Sequence, residues 1–219
     1  MTIEITMRVC GFLFLFILVL WLTMAVFGYK IGMGDYDSDA ELQKINKNPK
    51  KLQIGIVLAL MSHGSVIALA ILLFIVFSPY NLILGIAWTT FRLGEGLILI
   101  YNEKNYWGLL NIARQYSNTS GAEKNSLSNL ASTILKTRDS IFKVTQFLWA
   151  LGTLALSIVL VASGVVPPFI GWIGIVAGIT GGFYNGLFLV KYNFKVLLAI
   201  SGLLGISFEV ILGGWLLFY

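Results

Sequence analysis

Six long apolar stretches dominate this chain, and three of them carry ionisable side chains at depths where only lipid would surround them. A bilayer core of about 30 Å is crossed by some 20 apolar residues in helical conformation, at about 1.5 Å per residue. The stretches at residues 9–27, 54–77, 80–101, 143–164, 168–190 and 196–218 each meet that length. They use more than half of the 219 residues and leave no room for a separate soluble domain. The expected fold is therefore all-α: a six-transmembrane-helix bundle forming a single integral membrane domain over residues 1–219. Composition agrees, at 58% hydrophobic and only 11% charged, against about a quarter charged in soluble domains.

The first stretch is too long for the apolar core of a signal peptide, and no small-x-small cleavage site follows it, so it is read as a retained helix. Ser78-Pro79-Tyr80-Asn81 marks a tight turn between the second and third spans. Loop charges set an orientation. Of the 15 Lys and Arg, Arg92 lies within a span and Arg8 on one side, and the remaining thirteen fall after spans one, three and five. The positive-inside rule then places both termini outside and residues 28–53 and 102–142 in the cytoplasm of a plasma-membrane protein. The net charge of +5 fits that bias and contact with anionic lipid. No basic stripe interleaved with aromatics points to nucleic acid.

The two long loops have internal order. Ser38 and Glu41 form a capping-box pattern, and Asn48-Pro49 ends the short helix that follows. Asp35, Asp37 and Asp39 resemble the start of a calcium loop, but Ala40 replaces the required Gly and Asn46 the closing Glu. Between residues 102 and 142, Tyr106, Leu109, Leu110, Ala113 and Tyr116 recur at helical spacing. After a polar break at 117–125, Leu127, Leu130, Ile134, Ile141, Val144 and Leu148 do the same. The pattern predicts a cytoplasmic helical hairpin extending spans three and four, with a membrane-surface amphipathic helix as the alternative. Glycine stripes at Gly171, Gly174, Gly178 and Gly181 on span five, and at Gly202, Gly205 and Gly213 on span six, predict close packing of those two helices.

The candidate site comprises His63, Arg92, Glu95, Asn185 and Glu209. Ionisable groups at membrane depth cost several kcal/mol unless paired or hydrated, so they are functional-site candidates. Arg92 and Glu95 are i and i+3 on one helix face, and Glu95, Asn102 and Tyr106 continue that line. Glycines around Glu209 direct it into the bundle. From helical rise, Arg92 and Glu209 lie within about 3–4 Å of mid-span, and Glu95 and His63 within about 4–6 Å. One Arg can neutralise one carboxylate; the second then needs a proton, a cation or His63. The alternative is a structural network fixing helix register. A lone His without partners is not a metal site, and the single cysteine, Cys10, excludes an intrachain disulfide. No cofactor motif is present.

Three stretches, LQKINKNPKKLQIGIVLAL from Leu42, FRLGEGLILIY from Phe91 and SGVVPPFIGWIGIVAG from Ser163, resemble a bacterial and archaeal membrane family known as domain of unknown function 4386. The resemblance implies about six helices and brings no established activity. Three functions remain open at this point. One is binding or transport of a small ligand, ion or proton through the Arg–Glu–Glu cluster. Another is an accessory or sensory subunit with a protein partner or in a homo-oligomer. The third is an intramembrane enzyme acting on lipid, for which no nucleophile elbow, metal signature or phosphate loop speaks.

Overall fold

The computed structural model describes residues 2–29, 37–189 and 195–218. Lys30, Asp35 and Lys191 of the loop-charge and calcium-loop readings lie outside the described residues. Among the described residues the chain is helical throughout and without strands: α1 (Ile3–Val26), α2 (Ser38–Lys47), α3 (Pro49–Phe77), α4 (Leu82–Asn118), α5 (Gly121–Ser163), α6 (Pro168–Leu189) and α7 (Lys195–Phe218). All but α2 are long and apolar enough to cross a membrane. The protein is a six-helix multi-pass membrane protein.

Short polar side chains set the boundaries. Asn81 accepts from the Leu84 N–H at 3.0 Å and starts α4, while Asn48 caps α3 with Pro49 in its first turn. At α2 the cap is Asp37, which accepts from the Asp39 and Ala40 N–H groups, not Ser38 as the capping box predicts. The Ser38 hydroxyl instead meets Ser128 of α5 at 2.8 Å. Gly121 and Gly164, both left-handed (φ +63° and +66°), open and close α5, as their lack of a Cβ allows.

At 37 and 43 residues, α4 and α5 are about 55 and 65 Å long, well beyond the bilayer core. Their overhanging halves form the predicted hairpin, broken only at Thr119–Ser120. The buried stripe of α4 is the expected one, with Tyr106, Leu109, Ala113 and Tyr116 all inside. On α5 the stripe is rotated. Leu130 and Val144 are exposed, and Ala131, Leu135, Arg138, Phe142 and Thr145 face inward. The sequence pattern followed only apolar residues, whereas the inward face mixes Leu135 and Phe142 with the small or polar Ala131, Arg138 and Thr145.

Packing follows chain order around a closed ring: α1 against α3, α3 against α4, α4 against α5, α5 against α6, α6 against α7, and α7 back against α1, with α2 lying on α3, α4 and α5. The glycine stripes support this ring differently from expectation. A Cβ at Gly171 or Gly178 would strike α5, at Ser157 and Val161 or at Ala150 and Leu154. Gly174 and Gly181 are wedged between α5 and α7. Gly213 of α7 packs on Gly11 and Phe14 of α1. Close backbone approach is thus used mainly between α5 and α6 and between α7 and α1, because lipid offers no hydrophobic drive and contact must come from fit.

The interior is layered. One apolar core, with Cys10, Phe14, Leu69, Phe77, Leu160, Phe208 and Leu212, fills the end where α1 begins. A second, with Met24, Leu42, Ile56, Tyr106, Leu109 and Leu135, fills the end beneath α2. Between them α3, α4 and α5 switch to polar residues: Ser62 and His63, then Arg92 to Glu103, then Arg138 to Thr153.

Candidate functional site

The five residues singled out in the sequence fall into separate environments. Arg92 donates from Nη1 to Glu95 Oε2 at 2.6 Å, both side chains being almost wholly buried. The guanidinium lies over the Trp88 ring, 5.2 Å from its centroid, and its Cγ and Cδ press on Gly152 of α5. Glu209 comes from α7 into electrostatic range of Arg92 and Glu95 and accepts from Trp149 Nε1 at 3.0 Å. Arg92, Glu95 and Glu209 thus lie within electrostatic reach of one another, with Trp149 as an unforeseen fourth member.

His63 does not join it. Its Nε2 lies 3.6 Å from Glu103 Oε1. A Cβ on Gly96 would touch the His63 carbonyl and Ile67, and Glu103 lies two turns further, about 10 Å along the axis. The gap closes because side chains lean toward the N-terminus of their helix. In antiparallel α3 and α4 that makes His63 and Glu103 point toward each other. Asn185 makes no hydrogen bond or ion pair to either group among the described residues, although Gly181, one turn earlier, packs on Trp149. It donates to the Gly181 carbonyl of its own helix at 2.8 Å, and its Oδ1 has no hydrogen-bond partner among the described residues.

Glu103 is the hub of a second network that sequence reasoning missed. Tyr29, just past α1, donates its hydroxyl to Glu103 Oε2. Arg138 Nη2 donates to the same Tyr29 oxygen at 2.9 Å and lies 3.9 Å from Glu103 Oε1. The Arg138 guanidinium lies against two rings that meet each other edge to face, 4.0 Å from the Tyr106 centroid and 5.0 Å from that of Tyr29. Asn102 Nδ2 donates to the Arg138 carbonyl at 3.2 Å. Burial pushes the Tyr29 hydroxyl far above the ordinary phenol range; Arg138 opposes that shift and the Glu103 carboxylate adds to it. Tyr29 therefore stays a proton donor at any physiological pH.

Both missing charges fall in the segment that hydropathy reads as a loop. Signals for them existed. Glu103 lies on the stripe of Glu95, Leu99, Asn102 and Tyr106, and Arg138 on that of Ala131, Leu135 and Phe142. Two cavities adjoin this network. A void of about 10 Å³ is bounded by His63, Asn102, Glu103, Arg138, Tyr29 and Trp21, enough for about one water. A cavity of about 290 Å³ lies among the end of α1, α2 and the start of α3, with Tyr29 and Tyr106 in its wall. Tyr29 is thus common to both.

A family model, Domain of unknown function (DUF4386), matches residues 9–219. The chain belongs to the DUF4386 family. That match covers α1 from residue 9 and all of the other five membrane-crossing helices, in agreement with the six-span resemblance. No curated protein and no solved structure matches the chain.

Proposed function

We propose that this DUF4386 protein binds a small ligand at the α2 end of the bundle. In this reading the roughly 290 Å³ cavity is the entry and the Tyr29–Glu103–Arg138–His63 network is the element that responds. One observation carries the reading: Tyr29 forms part of the cavity wall while its hydroxyl is bound to the buried Glu103 and Arg138. A ligand that moves the ring must break or reshape a charge network shared by α4 and α5. The Arg92–Glu95–Glu209 group, also proposed from the sequence as a ligand site, adjoins neither of these cavities and is better suited to fixing helix register. The Lys and Arg count supports a cytoplasmic cavity with the termini outside.

The test is thermal unfolding of the purified chain in neutral detergent against cationic, anionic and neutral small molecules. The comparison variant is Lys47→Trp, which fills the cavity mouth. Ligand at about a hundred times Kd stabilises by about 2.7 kcal/mol, a Tm rise of roughly 5–10 °C for a domain of this size. Such a rise in wild type, lost in Lys47→Trp, is the expected result. A chain that responds to no class of compound and purifies only with a protein partner instead takes the accessory-subunit role.

A further inference from the structure

Three lysines on neighbouring turns line the cavity: Lys44 and Lys47 at the end of α2 and Lys51 at the start of α3. Glu41, itself buried, is the acid in the same wall, so these four groups leave a net charge of +2. Lys44 Nζ donates to the Gly28 carbonyl at 3.3 Å and ties the exit of α1 to α2. The floor is apolar, from Ile45 and Leu52. Beyond the cavity lining, the adjoining ends of α1 and α3 carry exposed apolar side chains, with Val26 86%, Ile54 43% and Val57 52% exposed. The cavity therefore sits at the end of α1 and the start of α3, with lysines around it and exposed apolar side chains on the adjoining turns.

We infer that this cavity takes a phosphate-bearing ligand, with Lys44, Lys47 and Lys51 around the phosphate and Tyr29 and Tyr106 behind it. The inference rests on the binding reading above and names its ligand chemistry. Lysine ammoniums act as point charges without the planar fork of Arg, so they suit a tetrahedral anion approached from several sides. Their stems can lie along Ile45 and Leu52 while the charges converge. The N-terminus of α3 adds partial positive charge at the same place, opposed by the C-terminus of the shorter α2. The same chemistry fits the headgroup of an anionic phospholipid, whose chains would run down past Val26 and Val57, and a free phosphate compound arriving from water.

The experiment measures the unfolding midpoint of the full chain in neutral detergent under two pairs of conditions. The first pair is phosphatidylglycerol against phosphatidylcholine in mixed micelles. The second is inorganic phosphate against chloride at equal ionic strength. The proposal expects stabilisation by phosphatidylglycerol, by inorganic phosphate, or by both. The lipid alone identifies a headgroup site and inorganic phosphate a soluble ligand. Lys44→Gln/Lys47→Gln/Lys51→Gln should weaken the apparent affinity by roughly tenfold or more, since each lysine near a lipid surface contributes severalfold. Lys50→Gln/Lys104→Gln/Lys136→Gln removes the same charge outside the cavity and should leave it nearly unchanged. Lys47→Gln alone, at an exposed position, should lose about threefold and guards against a triple variant that does not fold. Equal losses in both triples would mean diffuse surface attraction and overturn the inference, as would no response to either probe. If neither probe acts while a neutral or cationic compound still stabilises wild type and not Lys47→Trp, the binding reading stands and only the phosphate assignment fails.

Discussion

The two buried arginines of this bundle are neutralised in opposite ways. Arg92 finds its carboxylate one turn away on its own helix, under Trp88 and against Gly152. Arg138 is held by Tyr29 from beyond α1, Tyr106 and Glu103 from α4, and through Glu103 it meets His63 of α3. The first arrangement survives wherever α4 is helical. The second exists only when four parts of the chain are in register, and it is the one beside the cavities. A local pair can stabilise a helix in lipid without reporting on its neighbours, whereas a network across helices changes whenever their spacing changes.

The largest expected effects divide the two. Arg92→Met leaves buried carboxylates without their cation and should cost about 3–5 kcal/mol in detergent unfolding; Glu95→Gln in the same chain should recover most of it. Arg138→Met should cost a similar amount, about 3–5 kcal/mol, but Glu103→Gln should recover little, because the Tyr29 and His63 contacts stay broken. Equal rescue in the two pairs would erase the distinction between local pair and shared hub.

Next in size is the buried Tyr29–Glu103 hydrogen bond. Tyr29→Phe should cost about 1–3 kcal/mol by leaving polar groups unpaired. Its cycle with Glu103→Gln should show coupling of about 0.5–3 kcal/mol, while Tyr29→Phe with Glu95→Gln should be additive. Coupling between Tyr29 and Glu95 would merge the two networks into one.

Packing gives a smaller contrast. A Cβ at Gly152 would lie 3.1 Å from both Cγ and Cδ of Arg92, so Gly152→Ala should cost about 1 kcal/mol through overpacking. Gly64→Ala, beside His63 but with nothing within 4 Å of its Cβ position, should be neutral or stabilising by up to about 1 kcal/mol. A neutral Gly152→Ala would mean that the Arg92 site is looser than its geometry.

The smallest effect is a pH limb at α2, which lies over the second network. Hydrogen bonds from Ser128 and then Tyr116 hold Asp39 below the usual carboxylate range. A lowered folded-state pKa means that this stabilisation is complete above the ordinary aspartate value of about 3.9 and fades as pH falls through and below it. Asp39→Asn should flatten that acid limb in a Tm-against-pH series and leave the neutral region little changed. An unaltered limb would assign it to other carboxylates.

Much of the Arg92 site was legible in the sequence. The i, i+3 spacing pairs Arg92 with Glu95, and the flanking glycines turn Glu209 inward. Trp149 was not, since an indole on an apolar helix gives no sign of which carboxylate it will meet. The second site was nearly invisible. Glu103 and Arg138 sit in stretches polar enough to resemble a loop, and His63, with no acid on its own helix face, looked isolated. The glycine stripes announced close approach, yet α6 uses its stripe mainly on α5.

The residues alone determined the six helices, the turn at Pro79 and the hairpin. In lipid every backbone hydrogen bond must close within the segment, so apolar length is enough to specify a spanning helix. Only the tertiary structure decided that Tyr29 meets Glu103 and Arg138, which are 74 and 109 residues further along the chain. Those contacts depend on the ring order of the helices and on the lean of antiparallel side chains toward one another. Helical periodicity carries neither, because it fixes the face a residue lies on but not what stands opposite.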